Sequence, residues 1–192
     1  MIETWTLQPP LQLQELHIVA PLLEFPNSLC HMLHLQKIAL DMCDYFFRSG
    51  LSTLAALPEE FSNLRSLEYL KLSNFHNLKR LPNAIGTLMN LREMDLSGCV
   101  NLKRLPNFFQ HLSNLQNISL SGCTSLEALP DSIENLKNLQ SINMPLCKSL
   151  KALPNAFWNL TNLREIDLEG CISLEDLPNS IENLTNLQNI DL

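Results

Sequence analysis

The sequence predicts an α/β solenoid, a right-handed horseshoe with parallel strands on its concave face and short 3₁₀ or helical turns on its convex face. Three observations predict it. From Leu57 onward the chain repeats every 24 residues without a slip: LPEEFSNLRSLEYLKLSNFHNLKR, LPNAIGTLMNLREMDLSGCVNLKR, LPNFFQHLSNLQNISLSGCTSLEA, LPDSIENLKNLQSINMPLCKSLKA, LPNAFWNLTNLREIDLEGCISLED, then the partial LPNSIENLTNLQNIDL. Within each row a short stretch alternates apolar and polar residues, the mark of a half-buried strand. Elsewhere in the row the apolar residues fall three apart, which suits a 3₁₀ turn.

The row LPNAIGTLMNLREMDLSGCVNLKR shows how one repeat becomes one coil. Leu81 opens the return limb, and Pro82, lacking an N–H, bars a regular helix hydrogen bond there. Ile85, Leu88 and Leu91 then point into the core at three-residue spacing on an outer 3₁₀ or single-turn helix. From Leu91 to Ser97, Leu91, Met94 and Leu96 face inward while Arg92, Glu93, Asp95 and Ser97 face outward; Met94-Asp95-Leu96 is the core of the strand. Gly98 and Cys99 turn the chain away from the strand, and Leu102 pins the descending side. Strands of successive coils must pair in parallel, each pair joined by a crossover. Outer turns are wider than strands, so the coil bends with its strands inside. A fixed period carrying L-x-x-L-x-L-x-x-N/C-x-L is the signature of a leucine-rich repeat solenoid. Such an array offers a long curved surface, so binding is expected before catalysis.

Earlier units are looser. Residues 1–24 read as a degenerate amino-terminal repeat or partial cap, with Leu13, Leu16 and Ile18 as its strand and Trp5 and Pro9-Pro10 as cap material. Residues 25–56 read as an irregular repeat: FPNSLCHMLHLQKIALDMC fits the template through Cys43, and Asp44 to Ala56 then carries about eight residues more than the template allows. Residues 57–192 hold five regular repeats and a partial sixth. The array is expected to have about eight strands, a ridge of roughly 35 Å at the inter-strand spacing. Terminal repeats normally carry a polar cap; Leu192 stops within a strand, so the chain reads as a piece of something longer.

Composition narrows the function class. A 45% hydrophobic content with 17% charged residues describes a soluble, well-cored chain, not a disordered one. The net charge of −7 argues against nucleic acid, whose binders carry a basic stripe. No apolar run is long enough to span a bilayer, and MIETWTLQPPLQLQ lacks the parts of a secretory signal. A cytoplasmic location, without membrane or nucleic acid among its partners, is the expectation. The six cysteines agree. Cys99, Cys123, Cys147 and Cys171 recur at the repeat period, with Cys43 in the same place of the irregular unit. They should form a buried column of reduced thiols, since disulfides between neighbouring coils are disfavoured in a cytosolic setting.

The row LPxxIxNLxNLxxIxLxGCxxLxx resembles the repeats of plant intracellular nucleotide-binding leucine-rich-repeat disease-resistance receptors, strongly over Leu57 to Leu192 and weakly over Leu13 to Cys43. The Leu-Pro opening and the Cys ladder resemble that intracellular class; the Gly-x-Ile-Pro opening and Asn ladder of plant cell-surface receptors are not seen. Phe75 in place of Cys, and Met144-Pro145-Leu146 in place of Leu-Ser-Gly, depart from the pattern. The resemblance implies a protein-binding module for plant defence and innate immunity. It would recognise a pathogen effector or host protein, contact neighbouring domains of the same receptor, and restrain a nucleotide-binding switch. That switch is not in this chain, since no GxxxxGK[ST] loop occurs. ATP or ADP would bind elsewhere, and no cofactor is expected here. A free-standing scaffold or bacterial effector holding a target protein stays open, as does an ectodomain; the domains flanking the repeats, or a signal peptide, discriminate them.

Two outward columns form the expected contact surface. One reads Glu15, Lys37, Tyr69, Glu93, Asn117, Ser141, Glu165, Asn189; the next reads His17, Ala39, Lys71, Asp95, Ser119, Asn143, Asp167, Asp191. The candidate protein-binding residues are Tyr69, Lys71, Glu93, Asp95, Asn117, Ser119, Asn143, Glu165, Asp167 and Glu169. Tyr69 is the best single anchor, aromatics being enriched at hot spots. Glu93/Asp95 and Glu165/Asp167/Glu169 form acidic patches suited to a basic partner; the competing reading is a sheet face kept soluble by charge. Lys79-Arg80, Lys103-Arg104, Lys148 and Lys151 form a basic strip on the descending flank, broken by Glu127, Glu175 and Asp176. It could dock an acidic partner or simply be solvated. Trp158 and Phe108 stand where other rows have small or polar residues and read as exposed aromatics, a contact patch or ordinary single exposures; Tyr45-Phe46-Phe47 in the insert either tucks over the flank core or reaches a partner. Cys30, His31 and His34 lack a fourth ligand, so no metal is expected. Asn117, Asn159 and Asn183 open glycosylation sequons that matter only on a secretory route. No acid/base pair sits where a cleft would perturb it, and the chain is not expected to be an enzyme.

Overall fold

A computed structural model describes residues 12–20, 22, 25–42, 54–107, 109–175, 177 and 179–192. Among the described residues, eight strands run in chain order through one parallel sheet: β1 Glu15–Val19, β2 Lys37–Asp41, β3 Tyr69–Ser73, β4 Glu93–Asp95, β5 Asn117–Ser119, β6 Ser141–Asn143, β7 Glu165–Asp167 and β8 Asn189–Asp191. Each strand pairs with the next at the position one repeat later, as Met94 with Ile118 and Ile118 with Ile142. The expected leucine-rich repeat solenoid is therefore the observed fold, with the expected strand number.

The three-residue spacing explains the outer limb. Pro82 is extended (φ −69°, ψ 149°) and stands just before a 3₁₀ turn at Asn83–Thr87. Its carbonyl accepts from Ile85 N–H at 3.2 Å, the Ile85 carbonyl from Leu88 N–H at 3.1 Å, and the Leu88 carbonyl from Leu91 N–H at 2.9 Å. Each buried residue thus closes its own N–H onto the carbonyl of the buried residue three before it. The spacing that aims the side chains inward also satisfies the backbone there. Pro58, Pro130 and Pro154 open equivalent turns at Glu59–Asn63, Asp131–Asn135 and Asn155–Asn159.

The core is a set of stacked apolar columns, including Leu70, Met94, Ile118, Ile142 and Ile166 beneath the sheet and Phe61, Ile85, Phe109, Ile133 and Phe157 beneath the outer turns. The thiol column is as expected. Cys99, Cys123, Cys147 and Cys171 are buried and free. Each Sγ donates to a carbonyl of the preceding coil, Leu72, Leu96, Leu120 and Met144 in turn, at 3.2–3.3 Å. Phe75, fully buried, fills the place a thiol would take in its row. Cys43, Trp5, Pro9-Pro10, Tyr45-Phe46-Phe47, Phe108 and Asp176 lie outside the described residues.

A second ladder escaped the sequence reading. Asn90, Asn114, Asn138, Asn162 and Asn186 each donate Nδ2 to a carbonyl of the preceding coil (Arg65, Met89, Ser113, Lys137 and Thr161) at 2.7–2.9 Å. These amides bond coil to coil at the approach to β4, β5, β6, β7 and β8, on the opposite side of each strand from the thiols. The signal was the asparagine of every M/T/S/K-Asn-Leu step before a strand, a periodic polar residue with no apolar face to serve.

The turns leaving the strands need left-handed backbone. Gly98 has φ +74°, and a Cβ there would collide with the Asn74 side chain. Asn74 and Leu146 adopt φ +61° at the equivalent places of their rows. Asparagine tolerates this conformation, and its Nδ2 also bonds Asp41 Oδ1 at 2.9 Å; leucine has no such compensation.

Candidate protein-binding surface

The sheet register brings the two outward columns together as the sequence placed them. Tyr69, Glu93, Asn117, Ser141, Glu165 and Asn189 are successive partners, as are Lys71, Asp95, Ser119, Asn143, Asp167 and Asp191. Parallel pairing at one spacing per coil holds these side chains about 4.8 Å apart along each column.

The charges divide along the array. Toward the amino end they are paired: Lys37 Nζ lies 2.9 Å from Glu15 Oε1, Lys71 Nζ 3.5 Å from Asp95 Oδ2, and Arg92 Nε 3.3 Å from Glu68 Oε2. Asp95 also accepts from the backbone N–H of Ser97 at 2.9 Å and from its hydroxyl, which contacts the Ser119 hydroxyl at 2.8 Å. Of the two acidic patches expected, the one at Glu93/Asp95 is thus partly neutralised within the protein. Tyr69 stands beside it, half-buried; burial, and secondarily Asp95, pushes its phenol above the ordinary tyrosine value.

Toward the carboxyl end the described residues show no such pairing. Among the described residues no cation forms an ion pair with Glu165, Asp167, Glu169 or Asp191. Asp167 Oδ1 accepts only the Glu169 backbone N–H, at 2.9 Å, which fixes the turn and leaves the charge in place. Glu165, Asp167 and Asp191 line a shallow depression of about 620 Å³, with Asn143, Ser141, Gln188 and Asn189 completing it. This half of the face is a row of carboxylates and amides, open to a ligand that brings its own positive charge.

Other candidates settle differently. Trp158 is buried, not an exposed contact: its indole packs edge-on to Phe157, ring centroids 5.1 Å apart. A large aromatic gains more by covering its own coil than by standing in water. Among the described residues its Nε1 has no hydrogen-bond partner. Cys30 is fully buried while His31 and His34 are exposed, so the three do not form a ligand set. Among the described residues no group of three or more His, Cys, Asp or Glu could hold a metal ion. Asn117 lies on β5 and is half-buried, whereas Asn159 and Asn183 are exposed on outer turns. No described helix is long and apolar enough to cross a membrane.

Comparison with known proteins agrees with this architecture. A family model described as a leucine-rich repeat region matches residues 59–147. The plant peptide hormone receptor RGFR1, solved with RGF2, superposes with a TM-score of 0.65 at 24% identity, over 88% of this chain and 26% of that one. The leucine-rich repeat domain of the type III effector XopL gives 0.56 at 24% identity, over 93% and 75%. Toll, solved with Spatzle from Drosophila, gives 0.69 at 21%, over 94% and 26%. The chain spans about a quarter of the length of the RGFR1 and Toll chains. No curated protein matches it by sequence. With its 24-residue period, thiol ladder and parallel sheet of stacked coils, the chain has the leucine-rich repeat solenoid fold, and its residues 59–147 match the leucine-rich repeat model.

Proposed function

We propose that the sheet face over β6, β7 and β8 binds a protein ligand carrying basic side chains, and that the chain is the non-catalytic sensing arm of a plant intracellular immune receptor. The observation that carries the binding reading is the run of carboxylates at Glu165, Asp167, Glu169 and Asp191, which form no ion pair among the described residues, beside a half of the same face where charges are paired. Unpaired charge on a solvent-facing sheet steers and selects a complementary partner. The receptor setting rests on the resemblance of the Leu-Pro rows and Cys ladder to the intracellular class. In that setting the ligand is a pathogen effector or a host protein. The face would engage it in the cytoplasm while other surfaces touch neighbouring domains that hold the nucleotide-binding switch. A ligand that prefers the released arrangement then shifts that switch by its difference in affinity for the two states.

A photo-crosslinking side chain at Asn143, compared with one at Asn159 on an outer turn, identifies the ligand and the face together. With that ligand in hand, Glu165→Lys with Asp167→Lys should weaken binding about tenfold or more at low salt. The circular dichroism spectrum should stay unchanged, because neither side chain supports the core. Equal affinity of the reversed variant, or crosslinks from Asn159 alone, removes this face from the reading.

A further inference from the structure

The descending flank carries a second surface of opposite character. Stacked Leu-Pro corners, among them Leu81-Pro82, Leu105-Pro106 and Leu129-Pro130, floor a groove of about 990 Å³ that runs along the solenoid axis. Arg80, Arg104 and Lys151 line it, and Lys79 and Lys103 are exposed beside it. Five of the chain's 13 basic residues therefore gather on one flank of a molecule whose net charge is −7.

The local electrostatics are unfavourable as they stand. Lys79 and Lys103 occupy equivalent places in adjacent coils, as do Arg80 and Arg104, and like charges facing each other across paired segments destabilise. One cation is relieved: Arg104 Nη2 lies 3.3 Å from Glu127 Oε2, one coil on. Arg80 has Lys103 where Arg104 has Glu127, and among the described residues it forms no ion pair. The arginine column gives way to Ala128 and Ala152, where parallel bridges join the coils, so the groove stays open past the guanidinium groups.

We propose that this groove binds an extended acidic segment of a partner polypeptide, independently of the sheet face. Its lining runs from Ala56 to Ala152, four coil steps. At about 4.8 Å each these span roughly 19 Å, or about six extended residues. Carboxylates of the segment meet Arg80 and Arg104, whose planar forks suit them, while apolar side chains lie over the leucine and proline floor. Glu59 and Glu127 line the same groove. A peptide can place neutral residues against them, whereas nucleic acid, charged at every nucleotide, cannot.

The test is fluorescence anisotropy on the full chain with three labelled probes: an octapeptide alternating glutamate and leucine, its lysine–leucine counterpart, and an oligouridylate of similar length. The acidic peptide should bind best and weaken as salt rises. Arg80→Glu with Arg104→Glu should cost about tenfold or more, and the milder Arg80→Gln with Arg104→Gln a smaller factor in the same direction. The Glu165→Lys, Asp167→Lys variant should bind this probe as the parent chain does. Preference for either other probe, no binding of the acidic peptide, or affinity unmoved by the arginine changes overturns the proposal and leaves the sheet-face reading untouched.

Discussion

The thiol column makes the protein sensitive to alkali, and the size of the effect follows from its burial. Burial pushes the Cys99 thiol up to about 12, and pushes Cys123 and Cys147 higher still, with neighbouring thiols of the ladder adding to both. In the unfolded chain each returns to the ordinary value near 8.5. Below about pH 8.5 both states hold the proton, and the stability of the fold is whole. Above it the unfolded chain sheds protons that the fold keeps, so stability falls as pH rises, and goes on falling until the folded thiols ionise near or above 12. Each thiol costs about 1.4 kcal/mol per pH unit in that window. From pH 7.5 to 10.5 that is roughly 3 kcal/mol for one thiol and ~8 for three, comparable to the whole stability of a domain.

Urea-unfolding midpoints followed by circular dichroism from pH 7.5 to 10.5, with reductant present, measure the slope. Cys123→Ala lowers stability at neutral pH by removing a buried sulfur that donates to the Leu96 carbonyl at 3.3 Å. It should also make the alkaline slope shallower by about 1.4 kcal/mol per pH unit, one thiol's share. A level stability across the window, or an identical slope in wild type and Cys123→Ala, refutes the reasoning. So does rapid reaction of these thiols with a disulfide reagent in the native chain.

Two further substitutions probe places where the rows depart from their template. Leu146→Gly should raise stability by about 1 kcal/mol, seen as a higher thermal midpoint, because it removes a left-handed leucine and restores the glycine found at Gly98, Gly122 and Gly170. Trp158→Ala should cost about 3–5 kcal/mol in urea denaturation, as large buried aromatics do. Trp158→Phe should cost under about 1.5 kcal/mol, since it keeps most of the ring and deletes a buried N–H with no partner.

The sequence carried what is periodic. Period two under Met94 and Leu96, and period three through Ile85, Leu88 and Leu91, are each read from one row, and the fixed 24-residue repeat turns one row into an array. The outward columns followed for the same reason, because parallel pairing one repeat apart is a consequence of equal length. What failed was inference from a residue's alignment partners to its own environment. Trp158 aligns with Glu134 and Glu182, both exposed, yet lies in the core. A column position fixes where a Cα sits; side-chain size decides whether the chain covers the neighbouring coil. Charge pairing was hidden likewise: Lys71 meets Asp95 across a strand boundary 24 residues apart, so the Glu93/Asp95 patch reads as acidic in its own row and is partly neutral in the sheet. The amide ladder was visible as repeated asparagine, but its acceptor is a carbonyl of the preceding coil, and no single row contains both groups.

A scaffold that repeats its core must place its specificity in the positions the repeat leaves free, and here those positions sort by sign. The carboxylates of β7 and β8 and the arginines of the Leu-Pro flank lie in different coils, with Arg104 in the row of β4 and Glu165 on β7, three coil steps or about 14 Å apart along the array. That distance exceeds the screening length of about 8 Å at physiological ionic strength. Along one column, by contrast, neighbouring charges about 4.8 Å apart act together. The two surfaces therefore do not cancel despite the net charge of −7; each presents its own field to its own partner. Charge reversal on one face should leave the salt dependence of binding at the other unchanged, and a measured coupling between them would require a single partner that wraps the coil and touches both.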